Sequence, residues 1–148
     1  IDKNQKTLVD IGSGAGFPGI VLSIVATDRK IPLKIKLIEK SPKKIKFLQE
    51  VIKKLKLKID TISENVEDEN FLFKDEIFIA RAFKPLAKTL ELIHSKAEKF
   101  KKIIIFLGKT GEKELIRTSK SWDIQYKKRM SITNSDSFII EINKVKKR

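Results

Sequence analysis

Apolar positions along this 148-residue chain gather into short β-branched runs that alternate with stretches of helical spacing. Thr7, Leu8, Val9 and Ile11 have the character of a buried strand, and residues 19–27 form an apolar helix with Pro18 at its first turn. A second strand is predicted at Leu33–Ile38. Ser41 and Pro42 then supply an N-cap and first helical residue for a helix whose apolar positions are Ile45, Leu48, Ile52 and Leu55. Residues 59–62 and 77–80 read as strands three and four. Residues 86–100 read as a helix with Leu86, Leu90 and Ile93 on one face, and 102–107 as the continuous apolar run of a strand buried in a parallel sheet. A helix at 112–121 precedes strands at 124–130 and 138–145, joined by the turn-forming residues Thr133, Asn134, Ser135 and Asp136. The alternation predicts one α/β domain over residues 1–148: a doubly wound, mostly parallel seven-stranded sheet with a C-terminal antiparallel hairpin at its edge.

The junction between the first strand and first helix, VDIGSGAGFPG (residues 9–19), carries the chemistry. Gly12, Gly14 and Gly16 let the chain turn sharply and leave no Cβ between a ligand and the main-chain N–H groups. Read from Gly14, the stretch is the G-x-G-x-x-G of dinucleotide sites; read from Asp10, it is the D-x-G-x-G-x-G of S-adenosylmethionine (SAM) enzymes. A carboxylate at Asp10 repels a pyrophosphate and suits the ammonium and sulfonium of SAM, so the SAM reading is favoured. Glu39, at the end of the next strand, accepts ribose hydroxyls in either case.

Composition narrows the classes. One domain of 17.0 kDa has no room for separate cofactor and substrate domains, which counts against most dehydrogenases. The chain has no cysteine and a single histidine, His94, so neither thiolate chemistry nor a zinc site is expected. It has no apolar run of membrane-spanning length and no signal-peptide pattern, which predicts a soluble cytoplasmic protein without a membrane partner. The first residue is Ile1 and the first strand follows almost at once, as in a piece of something longer. The net charge is +14, and residues 30–58 alone hold eleven lysines against Glu39 and Glu50. An AT-rich genome explains lysine in place of arginine, 28 to 5 here, but not an excess of basic over acidic residues, which favours a nucleic-acid partner.

Four segments, VDIGSGAGFPGIVLSI, LIEKSPKKIKFLQEV, SENVED and IARAFKPL, resemble the successive motifs of the RsmG (GidB) family, bacterial 16S rRNA guanine-N7 methyltransferases. The similarity runs from about Leu8 to Leu86 and is weaker beyond. It implies a class I SAM-dependent methyltransferase fold acting on 16S rRNA, free or in the 30S subunit, near the decoding centre. The family pattern places Gly12 and Phe17 at the SAM methionine and sulfonium, Glu39 at the ribose, Val66 and Glu67 beside the adenine, and Arg81 where methyl group and guanine meet. Arginine is rarely buried without a partner, yet Arg81 follows the apolar Phe78, Ile79 and Ala80, which favours a functional role. Phe83 is expected either to stack on the base or to belong to the core. Guanine N7 presents an in-plane lone pair, so the reaction needs alignment rather than a base. The chain also lacks the cysteine of pyrimidine-C5 enzymes and the Asn/Asp-Pro-Pro-aromatic loop of amino-group enzymes. Departures from the pattern are the absent N-terminal helical segment, Leu107-Gly108-Lys109 where relatives carry Leu-Lys-Gly, and Asp136-Ser137 where they carry an arginine. The alternatives are a basic rRNA-binding module with impaired catalysis and, further off, an NAD(P)-binding domain.

Overall fold

A computed structural model of the protein describes residues 6–148. Its seven strands, β1 (Lys6–Ile11), β2 (Leu33–Ile38), β3 (Ile59–Ile62), β4 (Ile77–Arg81), β5 (Lys102–Leu107), β6 (Trp122–Met130) and β7 (Phe138–Lys147), form one sheet in the order β3-β2-β1-β4-β5-β7-β6. The first five are parallel, and β7 runs antiparallel between β5 and β6. The expected doubly wound sheet with a terminal antiparallel hairpin is therefore present, and the strand order reverses between β1 and β4.

Four helices cover the sheet: α1 (Gly19–Asp28), α2 (Pro42–Lys54), α3 (Leu86–Lys96) and α4 (Gly111–Ser119). Strand side chains alternate between faces, so one face packs Val9, Ile11, Phe78, Ala80, Ile103 and Ile105 against Leu90 and Ile93 of α3 and Leu115 of α4. The other face packs Leu8, Ile35, Leu37 and Ile79 against Ile20 of α1 and Leu48 of α2. Ser41 caps α2 as expected, its side chain accepting from the Lys44 N–H at 3.4 Å. The outer side of α1 leaves Val21, Ile24 and Val25 exposed, because that helix is apolar all round.

Helix α3 is shorter than its periodicity predicts, ending at Lys96 rather than at residue 100. Ala97 is extended and bridges to Phe73, whose N–H donates to the Lys96 carbonyl at 2.9 Å, so a contact distant in sequence ends the helix. Strand β6 begins two residues earlier than predicted because Trp122 is buried and pairs with Lys147, which also lengthens β7. No helix among the described residues is long and apolar enough to cross a membrane.

Candidate active site

In a doubly wound sheet the crevice outside the carboxyl ends of the strands opens where the order reverses. A cavity of about 220 Å³ lies there, formed by Gly12 after β1, Ile38 to Lys40 after β2, Lys44 of α2, Glu64 to Glu67 after β3, and Ala82 to Lys84 after β4. Of the residues expected from sequence, Gly12, Glu39, Val66 and Glu67 line it; Asp10, Gly14, Phe17 and Arg81 do not.

Glu39 is buried, and both of its oxygens are engaged by backbone. Oε2 accepts from the Gly14 N–H at 2.9 Å and Oε1 from the Ser41 N–H at 3.0 Å. A carboxylate oxygen has a second acceptor site, so each can still take a hydroxyl, which suits a ribose diol. Gly14 thus serves the site by fixing Glu39. Val66 is buried in the cavity wall and packs into the core. Glu67 pairs with Lys84 at 3.0 Å, linking the loops after β3 and β4, and the Lys84 ammonium holds its carboxyl below the usual carboxylate range.

Asp10 faces away from this cavity. Its Oδ2 accepts from the Gly19 N–H at 2.9 Å and from the Ser13 hydroxyl at 3.2 Å, which pins the start of α1 to the glycine turn. Burial pushes its carboxyl up to about 6, against the opposing pull of those two bonds. Gly19 leaves the space: a Cβ there would stand 2.8 Å from Asp10 Oδ2 and 2.3 Å from Leu37. The expectation that Asp10 selects the cofactor by facing its charge is corrected on this geometry, since the carboxylate is a structural tie. Phe17, next to the turn, is half-exposed. Gly12 has φ +66°, and a Cβ there would lie 2.3 Å from the ring of Phe83, so this close approach requires glycine.

Arg81 ends β4 and is exposed, which corrects the premise that it is buried. The residues before it, Phe78, Ile79 and Ala80, are buried, whereas Arg81 and Ala82 are exposed where β4 leaves the core. Arg81 lines a second, larger cavity of about 790 Å³ over the ends of β4 and β5, walled by the β6–β7 hairpin. The two cavities share Ala82, Phe83 and Lys84. Ala82 is in the left-handed region at φ +49°, a conformation that costs a non-glycine residue about 1–2 kcal/mol. Phe83 is half-buried against the core, as one of its two expectations had it, and lines both cavities.

Sequence reasoning passed over Lys84 and Asn65. Asn65 lines the smaller cavity, and its Oδ1 accepts the Glu67 N–H at 3.1 Å, setting the turn. It stood inside the SENVED motif, which was the available signal. Gly108 lines the larger cavity and Lys109 does not. The ring of His94 packs edge-on to Trp122 at 5.2 Å, away from both cavities. Among the described residues no group of three metal-ligating side chains occurs.

This strand order, with its cavity at the reversal, is that of the class I SAM-dependent methyltransferase fold. A SAM-dependent methyltransferase from Aquifex aeolicus superposes with a TM-score of 0.67 at 16% identity, over 93% of this chain and 82% of that one. TrmK from M. capricolum, solved with S-adenosylhomocysteine, gives 0.61 at 20% identity, over 95% and 63%. The family model for GidB, rRNA small subunit methyltransferase G, matches residues 1–140. Ribosomal RNA small subunit methyltransferase G of Pelagibacter ubique is 42% identical over all of this chain and 69% of its own length. The Rickettsia akari protein of that name is 33% identical over 99% of this chain and 73% of its own length. The chain belongs to the GidB family, rRNA small subunit methyltransferase G, and SAM is its cofactor.

Proposed function

We propose that the chain transfers a methyl group from SAM to N7 of a guanine in 16S rRNA, with the 30S subunit, and therefore the cytoplasm, as its working context. The observation that carries this reading is the pair of cavities meeting at Ala82, Phe83 and Lys84, one sized and furnished for a nucleoside and the other wider and open to a polynucleotide. Glu39 holds the ribose diol with its two remaining acceptor sites. Val66 packs beside the adenine, Asn65 and Glu67 form the rim, and the Glu67–Lys84 pair closes over it. Gly12, with Phe83 against it, admits the methionine side, and Phe17 borders that side from the turn. Asp10 and Gly14 act one step back, by holding the turn and Glu39. When bound, SAM supplies an electrophilic methyl on a sulfonium.

Guanine N7 carries its lone pair in the ring plane, so no residue has to remove a proton. The work of the protein is alignment and charge placement. Arg81, exposed in the larger cavity, contacts the guanine acceptor edge or an adjacent phosphate, and Phe83 bounds the base. Calorimetric titration with S-adenosylhomocysteine, followed by methyl transfer to 16S rRNA and 30S subunits lacking the modification, tests the reading. Micromolar binding with methyl incorporated at a guanine N7 is the expected result. Binding without transfer to any rRNA would replace it with the impaired rRNA-binding module, and affinity for NADH alone would replace it with a dinucleotide domain.

A further inference from the structure

The β6–β7 hairpin ends in the outer wall of the larger cavity, which Met130, Ser131, Ile132, Thr133 and Asn134 line. Two large apolar side chains stand in water there: Ile132 is fully exposed at 102% and Met130 is 56% exposed. Neither belongs to a core cluster. The turn that bears them is nonetheless well tied. The Ser131 N–H donates to the Ser137 carbonyl at 2.8 Å, and Ser131 Oγ accepts from the N–H groups of Thr133 and Asn134 at 3.3 Å each. Asn134 Oδ1 accepts the Asp136 N–H at 2.8 Å. The apolar tip is thus presented on an ordered turn.

Behind the tip the hairpin is basic, with Lys127, Lys128 and Arg129 on β6 and Lys144, Lys146 and Lys147 on β7. Strand register puts Arg81, Phe106, Ile139 and Arg129 in one lateral row across β4, β5, β7 and β6. Three strand spacings separate the two arginines, roughly 14 Å at the backbone. Both line the larger cavity, so cations flank it on two sides and an apolar tip stands at its rim.

Cations spaced along a groove take phosphates, and an aliphatic side chain held on a rigid turn can enter between bases and unstack them. The basic strands behind the tip favour a polyanion as the partner that covers it. We infer that the hairpin tip is a wedge that keeps a single-stranded RNA segment open beside the nucleotide in the larger cavity, with Ile132 and Met130 against the base faces and Arg129 on the phosphate at the hairpin side. This rests on the rRNA reading above and extends it to how the target base is kept out of its stack.

The test uses the chain saturated with S-adenosylhomocysteine and a short single-stranded RNA carrying 2-aminopurine next to a lone guanine, with a duplex of the same sequence as control. Binding of the single strand raises 2-aminopurine fluorescence as the base unstacks. The double variant Ile132→Ser, Met130→Ser is expected to weaken single-strand binding about 10-fold and to reduce the fluorescence rise at saturation, with duplex affinity, S-adenosylhomocysteine affinity and melting temperature unchanged. Ile132→Phe is expected to raise the signal, and Arg129→Gln to lower the salt dependence of binding by about one phosphate contact. A double variant that binds and unstacks the single strand like the unaltered chain overturns the wedge, as does one that loses single strand and duplex alike. If the unaltered chain binds S-adenosylhomocysteine but neither RNA, nor accepts rRNA as a methyl acceptor, the rRNA reading itself has failed. Self-association that Ile132→Ser abolishes, without any effect on RNA, would give the tip to a second copy of the chain and also overturn the wedge.

Discussion

Replacing Asp10 with asparagine separates its structural tie from any part in cofactor charge. Asp10 is 1% exposed, and its burial raises the carboxyl from 3.8 to about 6. Between these two values the folded state holds a proton that the unfolded chain releases. Stability therefore falls as pH rises through this window, and above about 6 the cost of the buried charge is fully present. A tenfold change in proton affinity corresponds to about 1.4 kcal/mol, so the ionised carboxylate costs about 3 kcal/mol near neutrality, the upper bound of what neutralisation can recover. Asparagine keeps an oxygen to accept from the Gly19 N–H and the Ser13 hydroxyl, and it does not ionise. Urea unfolding of both proteins from pH 3.5 to 7.5 should give curves that draw together at the acid end, below the unfolded-state value of 3.8. They should separate by about 1–3 kcal/mol in favour of Asp10→Asn at neutral pH. The affinity for S-adenosylhomocysteine should stay within about 3-fold at every pH, because the carboxylate does not line the cavity. Parallel stability profiles would refute the burial argument, and a large loss of affinity with the fold intact would refute the assignment of Asp10 to the turn.

Glu39→Gln sets an amide NH₂ against one of two backbone donors and should weaken S-adenosylhomocysteine binding about 10- to 100-fold by calorimetry, with about 1.5–3 kcal/mol lost in urea unfolding. Unchanged affinity would remove Glu39 from the ribose. Gly12→Ala meets both φ +66° and the Phe83 ring, so a loss of more than about 2 kcal/mol and of cofactor binding is expected. The added substitution Phe83→Ala should recover part of that stability in a double-mutant cycle, and strict additivity would refute the contact. Lys84→Met breaks an ion pair whose members are 30% and 46% exposed, so the melting temperature should move little while the affinity for S-adenosylhomocysteine falls a few-fold; a large fall in stability would contradict the surface character of the pair. Arg81→Ala is expected to lower kcat on 16S rRNA about 100-fold with S-adenosylhomocysteine affinity unchanged, and normal turnover would end its catalytic role.

What the sequence revealed and what it hid divide along one physical line, the reach of the interaction. Strands β2 and β5 begin and end where predicted, because their signals, apolar positions interleaved with lysines in one and a continuous apolar run in the other, are written in consecutive residues. Helix α3 overran in prediction because Phe100 continues its apolar spacing, whereas the bridge from Ala97 to Phe73 that ends it joins residues far apart in the chain. The same limit applies to the site. Glycines and acids announce a cofactor turn by their order, but the direction of an acid is set by what lies across from it. Asp10 turns inward because Gly19, nine residues on, has no side chain, and Glu39 is held in the cavity by two N–H groups, one of them that of Gly14. SAM was the right cofactor for the family, yet the charge at Asp10 was the wrong reason, since the structure places that charge behind the turn. Arg81 erred the other way: an apolar context implied burial, while the end of β4 left it exposed at the mouth of a cavity whose far wall comes from a hairpin some fifty residues later. Local chemistry therefore pointed to the glycine turn and to the loops that wall the cavity beside it. The pairing of Gly12 with Phe83, of Glu67 with Lys84, and of Arg81 with the Ile132 hairpin belongs to the tertiary fold. Under the proposed function, those three pairings bring the cofactor cavity and the RNA-facing cavity together at Phe83.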